Sequence, residues 1–197
     1  MLKKQTILSL IAVFFLVLSA CSNTSDEKAK NSGNTENEKR MDHSKMEGMD
    51  HNKMEHSSSG KIPQGLKAAK NPAFKVGSKA IVKADHMEGM DGAEATIAGA
   101  YDTIAYSVTY TPTTGGKPVK NHKWVIQEEI KDAGTKVLKP GTKVTLEADH
   151  MKGMKGATGT IETAEKTTVY MIDYTSTTGG EPVKNHKWVT ESELTSK

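Results

Sequence analysis

An all-β fold built twice, as two tandem small SH3-like or OB-like barrels, is predicted by three observations. Residues 76–130 align without a gap onto 140–194 at an offset of 64, and 30 of the 55 paired positions are identical. Ile104, Tyr106, Val108 and Tyr110 alternate with smaller residues, and Tyr170, Ile172 and Tyr174 do the same in the second copy. A period of two is that of a strand with one face buried. Finally, Gly115-Gly116 and Gly179-Gly180 stand where a hairpin must turn, and Pro118 and Pro182 follow at the opening of a last strand, a place that tolerates a residue with no N–H.

From the N-terminus, residues 1–20 read as an export signal. Lys3 and Lys4 form a positive start, Ile7 to Leu18 an apolar run, and Leu18-Ser19-Ala20-Cys21 a lipobox. The run is shorter than the roughly 20 apolar residues of a membrane-spanning helix. Cys21 is the single cysteine. Lipidation there leaves no thiol for catalysis, metal binding or a disulfide, and places the protein, lipid-anchored, on the extracytoplasmic face of the cytoplasmic membrane. Residues 21–74 are assigned to the lipidated cysteine and a disordered tether, within which the polar tract 22–60 is poor in the apolar side chains that offset the entropy of ordering. The two β repeats are assigned to 75–131 and 138–197. In each, further short apolar or β-branched runs (79–84 and 93–98; 143–148 and 157–162) bring the expectation to four or five strands in about 55 residues. Units so small bury only about 60% of their unfolded surface, so the copies are expected to share an interface.

Charge narrows the partners. Lys3 and Lys4 leave with the signal, so 25 of the 27 basic residues face 24 acidic ones, and Arg40 is the single arginine. Such a balance lacks the clustered basic face of a nucleic-acid binder.

Histidine and methionine are unevenly placed. All seven histidines fall in the stretch 41–56, in two DHMxGM blocks or in two NHKW blocks, and of the methionines after the first only Met171 lies outside the stretch and the DHMxGM blocks. Met171 reads as a mid-strand core residue. The stretch carries Met41, His43, Met46, Met49, His51, Met54 and His56. Thioether and imidazole together suit copper(I) or silver(I): soft sulfur favours a soft cation, and neutral imidazole adds a stronger nitrogen donor. In the repeats, the glycine of DHMxGM lets the chain curl so that Met87 and Met90 converge beside His86, and Met151 and Met154 beside His150. His122 and Trp124, like His186 and Trp188, are two apart on a strand and so share a face, where an indole could add a cation–π contact. The same residues admit a structural account. The tryptophans suit the core of a small barrel, and the methionines could plug it while the histidines stay solvated.

The lipobox, the Met/His-rich leader and two copies of DHMxGM…YxxxYTxTTGGxPVKNHKWV resemble the YdhK-type lipoproteins of Gram-positive bacteria, whose repeat is domain of unknown function 1541. The resemblance spans essentially the whole chain and implies a two-repeat extracytoplasmic lipoprotein; it brings no established activity. By composition alone, the leader is similar to the Met/His tracts of envelope copper-resistance proteins. The set of one His, two Met and one Trp parallels that of envelope copper/silver chaperones.

No nucleophile elbow, P-loop, HExxH or framed carboxylate pair appears, and adjacent residues such as Asp85-His86 point apart, so no catalysis and no organic cofactor are expected. Two functions remain. One is a surface-anchored protein that captures, buffers or hands over copper(I) or silver(I), with an envelope copper-handling protein as partner. The other is a non-catalytic module whose tandem barrels recognise a cell-wall polymer or a partner protein.

Overall fold

The computed structural model describes residues 58–197. The signal, Cys21 and the stretch 41–56 lie outside the described residues. Eight strands follow in order: β1 (Lys67–Ala68), β2 (Lys79–Val82), β3 (Glu94–Tyr110), β4 (Val119–Ile126), β5 (Lys143–Thr145), β6 (Thr158–Tyr174), β7 (Val183–Thr190) and β8 (Leu194–Ser196). The only helical pieces among the described residues are two 3-10 turns, Gln127–Glu129 and Glu191–Glu193.

The all-β class and the twofold repeat hold, and all eight strands belong to one open antiparallel sheet rather than a closed barrel in each copy. The runs 93–98 and 104–110 fuse into the single 17-residue strand β3, and their counterparts fuse into β6. β3 and β6 pair along nearly their whole length, from Ala95 opposite Tyr174 to Tyr110 opposite Gly159. Thr103 pairs with Thr167, its equivalent under the repeat offset, so a pseudo-twofold axis passes there. The other edge of β3 is taken in turn by β2, β1 and β4. β5 and β7 occupy the matching edge of β6.

The ends of the repeats are exchanged. β8, at the end of the second copy, pairs with β2 near the start of the first. Ile130, at the end of the first copy, makes the matching bridge to Leu146. The cores follow the same rule. One cluster joins Val82, Met90 and Ile97 to Tyr170, Ile172, Tyr174, Val189 and Leu194. Its mirror joins Tyr106, Val108, Tyr110, Val125 and Ile130 to Leu146, Met154 and Ile161. On the opposite face lie Ala105, Trp124, Ile126, Val169, Met171 and Trp188. The alternation legible in Tyr170, Ile172 and Tyr174 is therefore real, but the intervening Val169 and Met171 are buried too, because both faces of the sheet's centre are covered.

One expectation needs correction. Residues 58–74, assigned to a disordered tether, are ordered where described: Lys67 and Ala68 pair with Asp102 and Tyr101. Leu66 packs on the tryptophan cluster and Phe74 stacks edge-on with Tyr170 at 5.7 Å. Leu66 and Phe74 supply apolar anchors that the polar residues upstream lack.

Candidate functional site

The DHMxGM block forms the loop between β2 and β3, and its copy the loop between β5 and β6. In the first, Met90 N–H donates to the Met87 carbonyl at 3.2 Å, a tight curl that sets the two methionines in different surroundings. Met90 and Met154 are fully buried, one in each mirrored core cluster. Met87 and Met151 are half-buried, and the Tyr110 hydroxyl donates to the Met151 sulfur at 3.8 Å. The second methionine of each motif is thus a core residue, and the first is half-buried at the edge of the core, Met87 packing against the first cluster.

The glycine of the motif serves an approach between repeats. Gly89 has a φ of 71°, and a Cβ there would lie 1.9 Å from Ser176 Oγ. Gly153 has a φ of 78°, and its Cβ would meet Thr114 Oγ1 at 2.7 Å. The carbonyls of Gly89 and Gly153 accept from the N–H of Thr177 and Thr113 at 2.9 Å. Each DHMxGM loop therefore docks on the TTGG turn of the other copy, where any side chain on the glycine would clash.

Two carboxylates complete the loops, and sequence reasoning passed over both. His86 Nε2 lies 2.7 Å from Glu193 Oε1, and Trp124 Nε1–H donates to Glu193 Oε2 at 2.7 Å. The mirror set is His150 Nε2 to Glu129 Oε1 at 2.8 Å, with Trp188 Nε1–H donating to Glu129 Oε2 at 3.0 Å. Each triad takes His and Trp from one repeat and Glu from the other. The backbone N–H groups of Thr190 and Ile126 bond the same carboxylates, so the short 3-10 turns hold them in place. The available signal was that Glu129 and Glu193 occupy equivalent, identical positions.

Burial alone would raise the Glu193 carboxyl, but the hydrogen bond and charge of His86, with the N–H groups of Thr190 and Trp124, hold it down at about 2. Glu129 is lowered in the same way: burial is outweighed by His150, Trp188 and the Ile126 N–H. His122 is pushed down to about 4, first by burial and then by the neighbouring His150 and His86. Its ring meets Tyr110 edge-on at 6.0 Å and lies 6.0 Å from the His150 ring. His186 packs edge-on against Tyr174 at 5.7 Å.

The expected shared face of His122 and Trp124 meets an interrupted strand. The β3–β4 register shifts twice, and Asn121 adopts a φ of 49°. Trp124 and Trp188 are buried in the shared cluster with their indole N–H groups engaged. His86, His122, His150 and His186, with Met87 and Met151, line one open cleft of ≈ 2530 Å³ where the repeats meet. His86 Nδ1, His150 Nδ1 and His122 Nε2 are buried without a hydrogen-bond partner among the described residues. Among those residues no three or more His, Cys, Asp or Glu side chains converge as a metal-holding group.

The repeats match the family described as "Protein of unknown function (DUF1541)", over residues 76–127 and 140–191. The chain is 60% identical over 191 residues to "Uncharacterized protein YdhK" of Bacillus subtilis (strain 168), covering 97% of this chain and 87% of that one. A crystal structure of the B. subtilis protein, at 67% identity, superposes with a TM-score of 0.72 over 75% of this chain and all of that one. A solution structure of the C-terminal domain of that protein, 71% identical, gives a TM-score of 0.60 over 63% of this chain and 94% of that domain.

Proposed function

The chain belongs to the DUF1541 family, and from that premise we propose that it is an extracytoplasmic lipoprotein, anchored through Cys21, that binds copper(I) or silver(I). The observation that carries this reading is that one cleft is lined by every histidine among the described residues and by the first methionine of each DHMxGM loop.

The chemistry of the donors supports it. In each triad the nitrogen facing the carboxylate carries the hydrogen, so in a neutral ring Nδ1 of His86 or His150 presents a lone pair. A carboxylate behind a histidine is the usual second support of a metal-binding imidazole: it fixes the tautomer and raises basicity. His122, held neutral by its burial, offers a further buried nitrogen. Two imidazoles sharing one ion sit about 6 Å apart between ring centres, given metal–nitrogen bonds of roughly 2 Å, and His122 and His150 stand 6.0 Å apart. Met87 and Met151 add soft sulfur at the rim. The stretch 41–56 supplies the collecting donors in this reading. The alternative, a module for a wall polymer or partner protein, finds less support, because the buried and hydrogen-bonded tryptophans offer no exposed stacking platform.

Titration with copper(I) against a competing chelator tests the proposal. Replacing both Met87 and Met151 by Leu keeps bulk, so it should cost less than about 1.5 kcal/mol of stability. Affinity should nevertheless drop at least about tenfold, and His122→Ala should add to the loss. A metal bound only by the folded chain raises the melting temperature with its concentration. Melting temperatures indifferent to copper(I) and silver(I) in the unmodified protein would end the cleft assignment.

A further inference from the structure

Duplication gives the cleft two equivalent sets of donors, His122, His150 and Met151 in one and His186, His86 and Met87 in the other, and their surroundings differ. Tyr110 of β3 joins the first set. Its ring packs edge-on against His122 at 6.0 Å, and its hydroxyl donates to the Met151 sulfur at 3.8 Å. The ring of His122 in turn lies 6.0 Å from that of His150, tilted by 38°. Tyr174, the counterpart of Tyr110, packs on His186 in the same way at 5.7 Å, yet among the described residues no bond joins its hydroxyl to Met87. His86, the counterpart of His150, meets the Trp124 ring edge-on at 6.2 Å.

Access differs as well. Residues 58–61 lie across β7: Ser58 donates through its N–H and Oγ to the carbonyls of Lys184 and Asn185, and a Cβ on Gly60 would stand 3.1 Å from the Asn185 side chain. His186, next in the chain, is buried. Among the described residues nothing makes the equivalent bonds on Lys120 and Asn121 of β4, and His122 keeps partial exposure. The open set also has complementary donors. Glu129 holds His150 Nε2, which leaves His150 Nδ1 and His122 Nε2 as buried ring nitrogens without a hydrogen-bond partner. A buried nitrogen so placed costs free energy, which a bound cation offsets. Among the described residues no third imidazole or carboxylate converges there, so the donor at hand is the Met151 thioether. Two imidazoles and a thioether suit a soft monovalent cation better than zinc(II), whose usual ligands are thiolate, imidazole and carboxylate.

We propose that the cleft holds one soft monovalent cation, bound by His122, His150 and Met151, and that Tyr110 is a positioning residue that orients the Met151 sulfur for it. The equivalent set of His186, His86 and Met87 stays closed beneath residues 58–61. The inference rests on the metal-binding reading above and adds its stoichiometry and its orienting residue. A methionine side chain has three rotatable bonds, and the Tyr110 hydroxyl restrains them before the ion arrives, which lowers the ordering cost of binding. The sulfur has a second lone pair, so accepting from Tyr110 leaves it able to bind the cation.

The test uses the full chain in detergent, with methyl-labelled methionine and nitrogen-15-labelled histidine, and silver(I) as the probe. Met90, Met154 and Met171 are buried and report on folding in every sample. Silver(I) should move the Met151 methyl and the ring nitrogens of His122 and His150 with one common affinity, and Met87 and His86 only at far higher concentration. Met151→Leu should weaken binding read at the two rings by at least about tenfold, and Met87→Leu should leave it unchanged. Tyr110→Phe keeps the ring on His122 but removes the donor. It should weaken binding about tenfold, with the two rings still shifting while the Met151 methyl responds less, a split that lost stability alone would not produce. Ser58→Pro combined with Gly60→Leu lifts residues 58–61 and should bring Met87 and His86 into the concentration range of Met151. Equal losses from Met87→Leu and Met151→Leu, or Met87 and His86 responding together with Met151 in the unmodified chain, would overturn the one-sided site. Unchanged binding in Tyr110→Phe would remove the positioning role, and an unchanged Met87 response in the lifted variant would remove the closure. Silver(I) that moves neither set would overturn the metal-binding reading of the cleft itself.

Discussion

Strands β4 and β7 carry the same residues from Val119 to Val125 and from Val183 to Val189, yet they live in different surroundings. Both turn through a left-handed asparagine, and both send an indole N–H to a glutamate of the other repeat. Residues 58–61 lie as a strap on β7: Ser58 N–H and Oγ donate to the carbonyls of Lys184 and Asn185 at 2.9 and 2.6 Å, Asn185 Nδ2 donates to the Ser58 carbonyl at 3.2 Å, and Lys187 Nζ donates to the Lys61 carbonyl, whereas β4 has no such cover among the described residues. Trp188 is entirely buried while Trp124 retains 7% exposure. The partner carboxylates follow suit, the Glu129 side chain being 7% exposed and that of Glu193 12%. The comparison teaches that duplication supplies a symmetric frame and the chain ends break it. The first copy must turn away at Asp132, with a φ of 53°, to reach the linker, so it makes a single bridge where the second copy continues into β8.

The largest expected difference lies in the tryptophans. Trp188→Ala should cost about 3–5 kcal/mol, as full burial of a large aromatic implies. Trp124→Ala should cost measurably less, because its side chain keeps some exposure to solvent. Chemical denaturation of the two variants gives the answer, and equal costs would mean that the exposure difference has no energetic weight.

Acidity separates two groups on the open side, His122 of β4 and the carboxylate that Trp124 bonds. His122 has its pKa lowered to about 4 in the fold against an unfolded value of 6.5. A proton then binds the unfolded chain first, so stability should fall as pH drops from about 6.5 to about 4, by up to ~3 kcal/mol at ~1.4 kcal/mol per unit. His122→Asn should flatten that limb. Glu193 behaves in the opposite sense: its carboxyl, held at about 2 against 4.5, contributes stability that is complete above 4.5 and lost as pH falls towards 2. Glu193→Gln should remove part of this lower limb only. Urea midpoints at pH 7, 5.5, 4 and 3 resolve the two windows.

The glutamates themselves come next. Glu129→Gln and Glu193→Gln each weaken charge-assisted bonds to a histidine and an indole, which should cost about 1.5–3 kcal/mol. Glu129, the more enclosed, should stand at the upper end. The smallest effect is the strap. Asn121→Ala and Asn185→Ala both place alanine at a positive φ, so the strain common to both cancels in the difference. The excess cost at Asn185, about 1 kcal/mol, measures the strap's bonds. No excess would mean that the strap rests on β7 without holding it.

These contrasts show how far the sequence could be read. The hairpin turns at Gly115-Gly116 and Gly179-Gly180, the core position of Met171 and the loop character of DHMxGM all follow from local chemistry. The strap did not, because Ser58 and Gly60 are small polar residues whose partners lie more than a hundred positions away. Glu129 and Glu193 were hidden for a similar reason: an acidic residue after a strand reads as solvated surface until a histidine from elsewhere is brought to it. The split of each methionine pair into a fully buried member and a half-buried one depended on which way a tight loop curls.

By itself the sequence determined the duplication, the β class, the turns and the soft-donor motifs, since these depend on side-chain chemistry and a period of two along one stretch of chain. It could not decide between two separate small folds and one interlocked sheet. A strand's alternation is the same whether its partner is its own hairpin or the equivalent strand of the other copy, and two copies with nearly the same pattern satisfy both arrangements. Only the tertiary structure made that choice. Pairing β3 with β6 along 17-residue strands exchanges the repeat ends, buries both faces of the sheet's centre and brings Glu129 to His150 and Glu193 to His86.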